Sequence, residues 1–520
     1  MKIQEINVIK KVNFKSKYIK FALCYPNIYR AGISNYAIQL IYRLINQNKN
    51  FKCERFFFEK NKEPLSVESQ TPLREFDVIG FSLQFELDYL NVINMLNNAK
   101  IPILSENRKM PLLIAGGPCA LENPIPLKNI FDLFILGNIE PIFDDLIRFM
   151  EDYLRSNLKP KSKYDNIDGF YFPLKNEQIV KKTAIKDLNS SFHAIQQVIP
   201  INYKENKNLG LGKSILIECT RGCKGKCNFC LIGWQNNPYR ERSFLRLKEI
   251  IDECVIVNPI KKISLIGSGI SYHSKLKDIV WYIANLGLNL SIPSLRADKF
   301  DEDLAEALYK ANLKQVTFAP ETGSERLRKL INKNIKDEDI LQSIQNALNY
   351  GINKFKLYFM IDLPTENNED LIAICNLIDN IIKEGVRYRD LSISINNFIP
   401  KPHTPFQWFG ISNLEVRRNK MKFLEKEIRK KRKIKVSFLD PKWGQIQTLF
   451  SRGNEKVGHL LYKVKEYSPN LGVIRRIMNE MQTSINDFNK KLNVDEELPW
   501  DFIDIGINKK TLTKIWNKIF

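Results

Sequence analysis

A short loop with four cysteines constrains this chain more than any other feature. The stretch ECTRGCKGKCNFCLIG, residues 218–233, holds four of the nine cysteines in 520 residues. Three of them, Cys223, Cys227 and Cys230, are spaced C-x3-C-x2-C and directly follow SILIEC, which reads as a buried strand. Any fold that accommodates this loop must bring three sulfur atoms together on one turn at the end of a strand.

Four kinds of chemistry use closely spaced cysteines. A disulfide framework is disfavoured because the cysteine count is odd and the five cysteines outside the loop are scattered. Zinc is disfavoured because the spacing fits neither common zinc pattern, and none of the four histidines lies near the loop. A single nucleophilic cysteine would not require three thiols in one turn. Three thiolates suit a [4Fe–4S] cluster with one iron left open to an exogenous ligand.

Composition and charge narrow the class of protein. The chain is 44% hydrophobic and 27% charged, which is ordinary for a globular protein. It contains no uninterrupted run of 18 apolar residues and no apolar leader, so we expect no membrane span and a cytoplasmic location. The net charge of +22 allows a nucleic-acid partner. However, the lysines are widely spread, and we interpret the dense cluster at 417–435 as a solvated helix face, with RNA contact as the alternative.

Strands and helices alternate in two blocks, which predicts an α/β protein. The first block indicates a Rossmann-like, doubly wound parallel sheet, which binds ligands at the carboxyl ends of its strands. The second has six strand–helix units against the eight of a complete barrel, and therefore predicts a partial (β/α)6 barrel of the TIM type. The predicted divisions are the N-terminal sheet domain at 1–160, a linker at 161–210, the barrel core at 211–410 and a mostly helical, basic C-terminal region at 411–520.

The cysteine loop and its position resemble the radical SAM superfamily, in which the C-x3-C-x2-C loop follows the first strand of a partial barrel. This resemblance implies that Cys223, Cys227 and Cys230 bind a [4Fe–4S] cluster. It also implies that the open iron binds S-adenosylmethionine (SAM), whose reductive cleavage gives a 5′-deoxyadenosyl radical. Phe229 matches the aromatic position that lies near adenine in that family. Cys219 does not fit the motif, and we interpret it as a packing residue at the end of a strand.

The resemblance extends along the predicted barrel and implies further SAM contacts. The turn LIGSG after the second strand matches the family's glycine-rich turn for the methionine amino group, and FAPETGSERLRKLINK follows the fourth strand. In YFMIDLPTE, after the fifth strand, Asp362 stands where the family usually has glycine. The implied SAM contacts are Gly267, Ser268, Ser294, Arg296, Glu321 and Ser324.

A parallel sheet before such a barrel resembles the cobalamin-binding branch of the superfamily, in particular an uncharacterised group within it. Many cobalamin domains carry D-x-H-x-x-G after their first strand, where the histidine binds cobalt. Here NIYRAG keeps the spacing but has tyrosine instead of histidine, so any cobalamin would bind without a protein histidine. The implied cobalamin contacts are Asn27, Tyr29, Gly32, Ser82, Gly116 and Gly117. The alternative is a Rossmann-like sheet without a ligand.

These features predict a radical SAM enzyme, assisted by cobalamin, that methylates or rearranges an unreactive carbon of an unknown substrate. An electron donor such as flavodoxin or ferredoxin is the expected partner. One alternative is a radical SAM enzyme that acts on RNA without cobalamin, because FIPKPHTPFQW resembles the segment after the sixth strand of tRNA methylthiotransferases. A third is a non-enzymatic iron–sulfur or zinc protein that senses redox state.

Overall fold

We describe the protein from a computed structural model. The structure describes residues 3–7, 17–156, 162–173, 179–201, 211, 213–430, 434–467 and 470–520. A six-stranded sheet forms the first half, and sheets of three and four strands form the second; the C-terminal helices pack against the first half. All nine cysteines are free thiols, as the odd count and scattered positions predict.

The N-terminal sheet is parallel and doubly wound, as predicted. If its six strands are numbered along the chain, they lie side by side in the order 2-1-3-4-5-6. Only the last strand is antiparallel to its neighbour. In this arrangement the crevice for a ligand lies at the carboxyl ends of strands 1 and 3, where the strand order reverses. The strands in spatial order are Phe51–Phe57, Ile19–Tyr25, Val78–Ser82, Leu112–Gly116, Leu133–Ile135 and Phe170–Tyr171.

Helices cover both faces of this sheet, which explains why its strands are continuous apolar runs. One face packs with Tyr36–Asn46 and Phe143–Ser156. The other packs with Tyr89–Asn98 and with the C-terminal helices, where the rings of Tyr89 and Phe450 stack at 5.7 Å. The α-helices of this half are Tyr29–Ile33, Tyr36–Asn46, Tyr89–Asn98, Pro118–Glu122 and Phe143–Ser156.

The second half is an open parallel barrel that contains all six predicted strands and one more. The third and fourth strands join through a single bridge between Leu295 and Phe318. The seventh strand, Lys435–Phe438, pairs in parallel with the sixth and lies in the segment predicted to be mostly helical. The barrel strands are Ile215–Glu218, Lys262–Ile266, Asn289–Ser291, Gln315–Glu321, Lys354–Ile361, Leu391–Asn397 and Lys435–Phe438.

The barrel helices lie outside the strands and bury their apolar faces in a single core. Capping residues set where they begin: the Ser243 side chain accepts the Arg246 N–H, and Asn367 and Asp370 form a reciprocal capping box. The barrel helices are Leu231–Gln235, Phe244–Val257, Leu276–Asn285, Glu302–Lys310, Glu325–Leu330, Asp337–Asn349 and Asn368–Lys383.

The C-terminal region is mostly helical and is tied to the barrel at Asp362. Asp362 has φ of 68°, the left-handed conformation that explains why the family usually has glycine at this position. Its carboxylate accepts the Ser412 N–H at 2.9 Å and lies 3.5 Å from the Lys420 ammonium, so the substitution anchors the first C-terminal helix. The C-terminal helices are Leu414–Lys430, Pro441–Ser451, Glu455–Val464, Leu471–Glu480, Ile485–Asn489 and Lys509–Ile519.

The predicted linker at 161–210 contributes strands to the rest of the molecule. Phe170–Tyr171 forms the edge of the N-terminal sheet, Val180–Lys181 pairs with Ile503–Asp504, and Val198–Pro200 pairs with Glu5–Asn7. Residues 202–210 lie outside the described residues. Within the described ranges, no helix has the length and apolar character needed to cross a bilayer.

Candidate active site at the mouth of the barrel

The cysteine loop follows the first barrel strand and is held by hydrogen bonds to its neighbours. Asn228 donates its side-chain N–H to the Leu330 carbonyl at 2.8 Å, and the Trp234 indole donates to the Cys227 carbonyl at 2.8 Å. The backbone N–H of Gly225 points at the Cys223 sulfur at 3.3 Å. The loop is therefore fixed independently of any metal, with Cys223, Cys227 and Cys230 partly exposed. Cys219 lies in the barrel core, as the packing interpretation predicts.

The spacing of the three sulfurs bears on which metal could bind. One tetrahedral zinc with Zn–S bonds of about 2.3 Å would draw its sulfur ligands to within about 4 Å of one another. Among the described residues, the only group of three metal-binding side chains with ligand atoms all within 4.8 Å is Glu86, Cys119 and Glu122. The three loop cysteines do not form such a group, so their sulfur atoms are not drawn together as a single tetrahedral zinc would hold them.

Burial keeps the thiols of Cys227 and Cys230 protonated when no metal is bound. Burial raises the pKa of the Cys227 thiol to about 12, and the nearby Lys333 ammonium opposes this rise. Burial also raises the pKa of Cys230. Metal binding must therefore displace the thiol protons, as is usual for thiolate sites.

A partly buried ionic group faces the loop from the fourth barrel strand. Glu321 ends that strand with φ of 70°, and its carboxylate accepts a hydrogen bond from Lys333 Nζ at 2.7 Å. Arg296 donates to the Lys333 carbonyl at 2.9 Å and pairs with Asp298 at 2.8 Å. The predicted residues Glu321 and Arg296 thus meet through Lys333, which the sequence-based prediction missed.

The other predicted SAM contacts have separate positions around the mouth. Ser294 is exposed. Ser324 caps the helix Glu325–Leu330 and donates to Asp370 at 2.5 Å, so its hydroxyl already has a structural partner. Phe229 packs beside the buried rings of Phe398 and Phe406.

One cavity lies between the carboxyl edge of the N-terminal sheet and the barrel mouth. Its volume is about 490 Å³. Ser82, Gly116 and Gly117 line it from the sheet, and Gly267 and Ser268 line it from the barrel. Gly267 and Ser268, predicted for SAM, therefore share a single space with three of the residues predicted for cobalamin. The three loop cysteines and Glu321 are not among its lining residues.

The glycines of the cavity wall differ in how much room they leave. A Cβ atom at Gly117, where φ is 104°, would lie 2.5 Å from the Leu83 carbonyl oxygen. A Cβ atom at Gly267 would lie 2.2 Å from Thr220 Oγ1. At Gly116 it would meet only Ile135, at 3.6 Å and beyond. Gly117 and Gly267 are required by their surroundings, whereas Gly116 leaves open space.

The remaining predicted cobalamin residues do not line the cavity. Asn27 donates to Asp88 at 2.7 Å, and the Tyr29 hydroxyl donates to Glu5 at 2.6 Å. A Cβ atom at Gly32 would lie 2.3 Å from the Phe57 ring. Asn27 and Tyr29 thus stabilise the turn after the first strand, and the assignment of these three residues to cobalamin stays a prediction.

A charged group on the cavity wall was not predicted from the sequence. Arg221 donates to Glu140 at 2.6 Å and to Glu218 at 2.6 Å, and all three side chains line the cavity. Glu140 belongs to the N-terminal half and the other two to the barrel, so this ion-pair network joins the halves across the cavity. Arg221 lies inside the cysteine-rich stretch and could have been singled out there, but its partner 81 residues away could not.

The comparisons with known proteins agree with this architecture. Residues 37–173 match the family model described as "Radical SAM proteins, N-terminal", and residues 217–378 match "Radical SAM superfamily". An uncharacterised protein of Methanocaldococcus jannaschii is 32% identical over 451 residues, covering 86% of this chain and 91% of the relative. A putative methylthiotransferase of the same organism is 26% identical over 180 residues, covering 32% of this chain and 39% of the relative.

A solved structure shares the fold. The radical S-adenosylmethionine methyltransferase TsrM of Kitasatospora setae, determined with cobalamin and a [4Fe–4S] cluster bound, superposes with a TM-score of 0.53 at 13% identity. The match covers 75% of this chain and 74% of TsrM. With its two halves matched by the two family models and its cysteine loop at the mouth of an open barrel, the chain belongs to the radical SAM superfamily and is an enzyme of that class.

Proposed function

We propose that this enzyme holds a [4Fe–4S] cluster, SAM and cobalamin around one cavity, and that it methylates or rearranges an unreactive carbon of its substrate. The observation that carries the proposal is the shared cavity, which both the Gly116–Gly117 turn and the Gly267–Ser268 turn line. TsrM, which has the same fold, binds cobalamin and a [4Fe–4S] cluster.

The residues at the barrel mouth suit the first two cofactors. Cys223, Cys227 and Cys230 would bind three irons, and the fourth iron would hold SAM, whose reductive cleavage supplies the 5′-deoxyadenosyl radical. Glu321, held by Lys333, would accept hydrogen bonds from the ribose hydroxyls. The narrow turn at Gly267 would leave the backbone open to the methionine amino group.

The cavity also suits a large ring with polar edges. Its walls include Phe21, Leu23 and Ile114, which suit the flat apolar faces of a corrin. Side chains with hydrogen-bonding capacity, among them Asn138 and Gln84, match the amides around the corrin edge. When bound, cobalamin would supply methyl transfer or assist a rearrangement. The lining contains no histidine, in keeping with cobalamin bound without a protein imidazole.

The chain itself excludes water and holds the two halves in register. Arg221 bridges Glu140 and Glu218 at the junction, and the apolar walls keep solvent from a reactive radical. These groups bind and orient, while the cofactors carry the bond-breaking chemistry.

A second candidate is a methylthiotransferase-type radical enzyme that needs no cobalamin. The similarity to the putative methylthiotransferase over 180 residues favours it, together with the segment FIPKPHTPFQW. A radical SAM enzyme of this kind would cleave SAM equally well with and without added cobalamin.

The experiment is an anaerobic reconstitution with iron, sulfide and cobalamin, followed by SAM and dithionite. We expect 5′-deoxyadenosine from the wild-type protein and none from Cys227→Ala. We expect S-adenosylhomocysteine only when cobalamin is present. Stoichiometric zinc in place of iron would contradict the cluster assignment and favour the redox-sensing alternative.

A pair of variants at Gly116 tests the cobalamin part separately. Gly116→Phe should fill the open space and abolish cobalamin binding, measured by the bound corrin absorbance, while iron content stays at the wild-type level. Gly116→Ala is the matched control and should still bind cobalamin, because its methyl group meets only Ile135 at 3.6 Å. Full cobalamin binding by Gly116→Phe would place the cofactor elsewhere.

A further inference from the structure

A basic groove lies against the outer side of the cysteine loop, away from the cavity. Its volume is about 530 Å³, and the groove and the cavity have no lining residue in common. Three lysines line it, and none of its lining residues is acidic. They come from three separate segments: Lys226 from the loop, Lys329 from the helix Glu325–Leu330, and Lys518 from the last helix.

The groove is connected directly to a cysteine that we assign to the cluster. Trp234 lines the groove, and its indole N–H donates to the Cys227 carbonyl at 2.8 Å. The Lys226 ammonium lies 5.0 Å above the Trp234 ring. A single aromatic side chain and one hydrogen bond therefore separate the groove from the backbone of Cys227.

The groove keeps a fixed position relative to the loop. Asn228 donates its backbone N–H to the Ile331 carbonyl at 3.0 Å, and Asn332 donates its side-chain N–H to the Lys226 carbonyl at 3.0 Å. These bonds tie the loop to residues 330–332, which form the opposite wall. A partner seated in the groove would be held at a constant distance from the three cysteines.

We propose that this groove is the docking surface for an acidic protein that carries an electron on a flavin or an iron–sulfur centre. The inference rests on the proposed function, since it requires the cluster. In the step it serves, the reduced donor loses one electron and the oxidised [4Fe–4S] cluster gains it, so no bond or proton changes hands. Charge complementarity identifies the partner: three clustered lysines on a chain of net charge +22 attract an anionic surface.

An RNA backbone would also be attracted to lysines, but the position of the groove favours the electron donor. A substrate must reach the cavity, on the side where SAM would bind, whereas a donor only needs to approach the cluster. The groove provides that approach from the side that shares no lining residue with the cavity.

The test uses the reconstituted full-length protein and measures cluster reduction by the loss of its visible absorbance. Reduced flavodoxin is the protein donor, and dithionite is the small-molecule donor. The variant is Lys329→Glu/Lys518→Glu, which reverses two exposed charges and leaves the cysteine loop unchanged. The matched control is Lys310→Glu/Lys314→Glu, which makes the same change in net charge at exposed positions before the fourth barrel strand.

At low ionic strength we expect the rate with flavodoxin to fall by about 10-fold or more in the groove variant, because steering by complementary charge raises association rates by about 10- to 1,000-fold. The control variant should keep the wild-type rate, and dithionite, a small anion that needs no docking surface, should lose much less rate in the groove variant than flavodoxin does. The advantage of the wild type should shrink as salt is added.

Two results would overturn the proposal. In one, both charge-reversed variants slow equally, which would indicate an effect of net charge alone. In the other, the flavodoxin rate is unchanged in the groove variant; weaker binding of bulk tRNA by that variant alone would then assign the surface to RNA. A protein that binds no iron fails earlier, at the proposed function, and iron analysis before the kinetics separates the two cases.

Discussion

The turn at Gly267 permits a sharp test of the proposed SAM site, because a single added methyl group has a defined obstacle. A Cβ atom at this position would lie 2.2 Å from Thr220 Oγ1 and 3.2 Å from Thr220 Cβ. No real contact is that short, so Gly267→Ala must rotate the buried Thr220 side chain or displace one of the two turns that form the barrel mouth. Overpacking of this kind costs about 1–3 kcal/mol. If the displaced turn binds SAM, affinity should fall by about 5- to 150-fold.

A second substitution should relieve the clash. Thr220 is 3% exposed, and its hydroxyl has no hydrogen-bond partner within the described part of the chain. Thr220→Ala removes a buried hydroxyl without a partner, which should stabilise the fold, and one methyl group, whose loss costs about 1 kcal/mol of stability. Alone, this substitution should therefore leave the stability nearly unchanged. Combined with Gly267→Ala, it deletes the 2.2 Å contact and should recover more than half of the lost affinity.

The assay is equilibrium dialysis of SAM against the four proteins of the cycle, each with a reconstituted cluster. Thermal midpoints measured in parallel separate loss of the site from loss of the fold. Gly472→Ala is a remote control, because its added methyl meets only the Asn470 side chain at 3.2 Å. Strictly additive effects of the two substitutions, or wild-type affinity in Gly267→Ala, would refute the reasoning.

Two further predictions concern the segment after the sixth barrel strand. Lys401 contacts Glu86 and lies 3.4 Å from Glu122, and both glutamates are 1% exposed. Lys401→Met should therefore lower the free energy of unfolding by about 3–5 kcal/mol, measured by thermal unfolding, whereas Lys310→Met at an exposed position should not. Equal thermal midpoints for the two variants would contradict this. Burial lowers the pKa of His403 to about 3, below the value of about 6.5 in the unfolded chain. The contribution of neutral His403 to the free energy of unfolding is therefore fully present above pH 6.5, and it is lost at about 1.4 kcal/mol per pH unit as the pH falls toward 3. In denaturant titrations, His403→Asn, which tolerates the φ of 59°, should retain about 2 kcal/mol more of its neutral-pH stability than the wild type at pH 5; parallel pH profiles would count against it.

Local patterns predicted the parts of the site that depend on local chemistry. The cysteine spacing, the buried strand before it and the glycine turns can each be recognised from a few neighbouring residues. In the structure, the cysteine loop and the glycine turns lie at the ends of the expected strands. The seventh barrel strand was missed because Lys435–Phe438 alternates exposed and partly buried residues directly after a dense basic run. Such a segment lacks the continuous apolar character that identified the other barrel strands.

Motif spacing alone did not reveal the local contacts of three residues predicted to bind cobalamin. NIYRAG keeps the spacing of a cobalt-binding turn, but Asn27 and Tyr29 are occupied by Asp88 and Glu5, and Gly32 is required by the Phe57 ring. Lys333 was missed for a different reason. A lysine in a charged segment resembles its solvated neighbours until the fold places it against Glu321.

The cavity depends on the C-terminal region as well as on the two halves that line it. Trp408, after the last predicted barrel strand, and helix Pro441–Ser451 belong to the same hydrophobic core as one face of the N-terminal sheet. Polar bonds reinforce that contact: Asn123 donates to the Ser451 carbonyl at 3.1 Å, and Gln447 donates to Glu86 at 3.0 Å. Because Asp362 ties the same region to the barrel, these contacts fix the sheet edge opposite the barrel mouth. A single space lined by both cofactor turns therefore requires the C-terminal helices, even though no residue from them lines it.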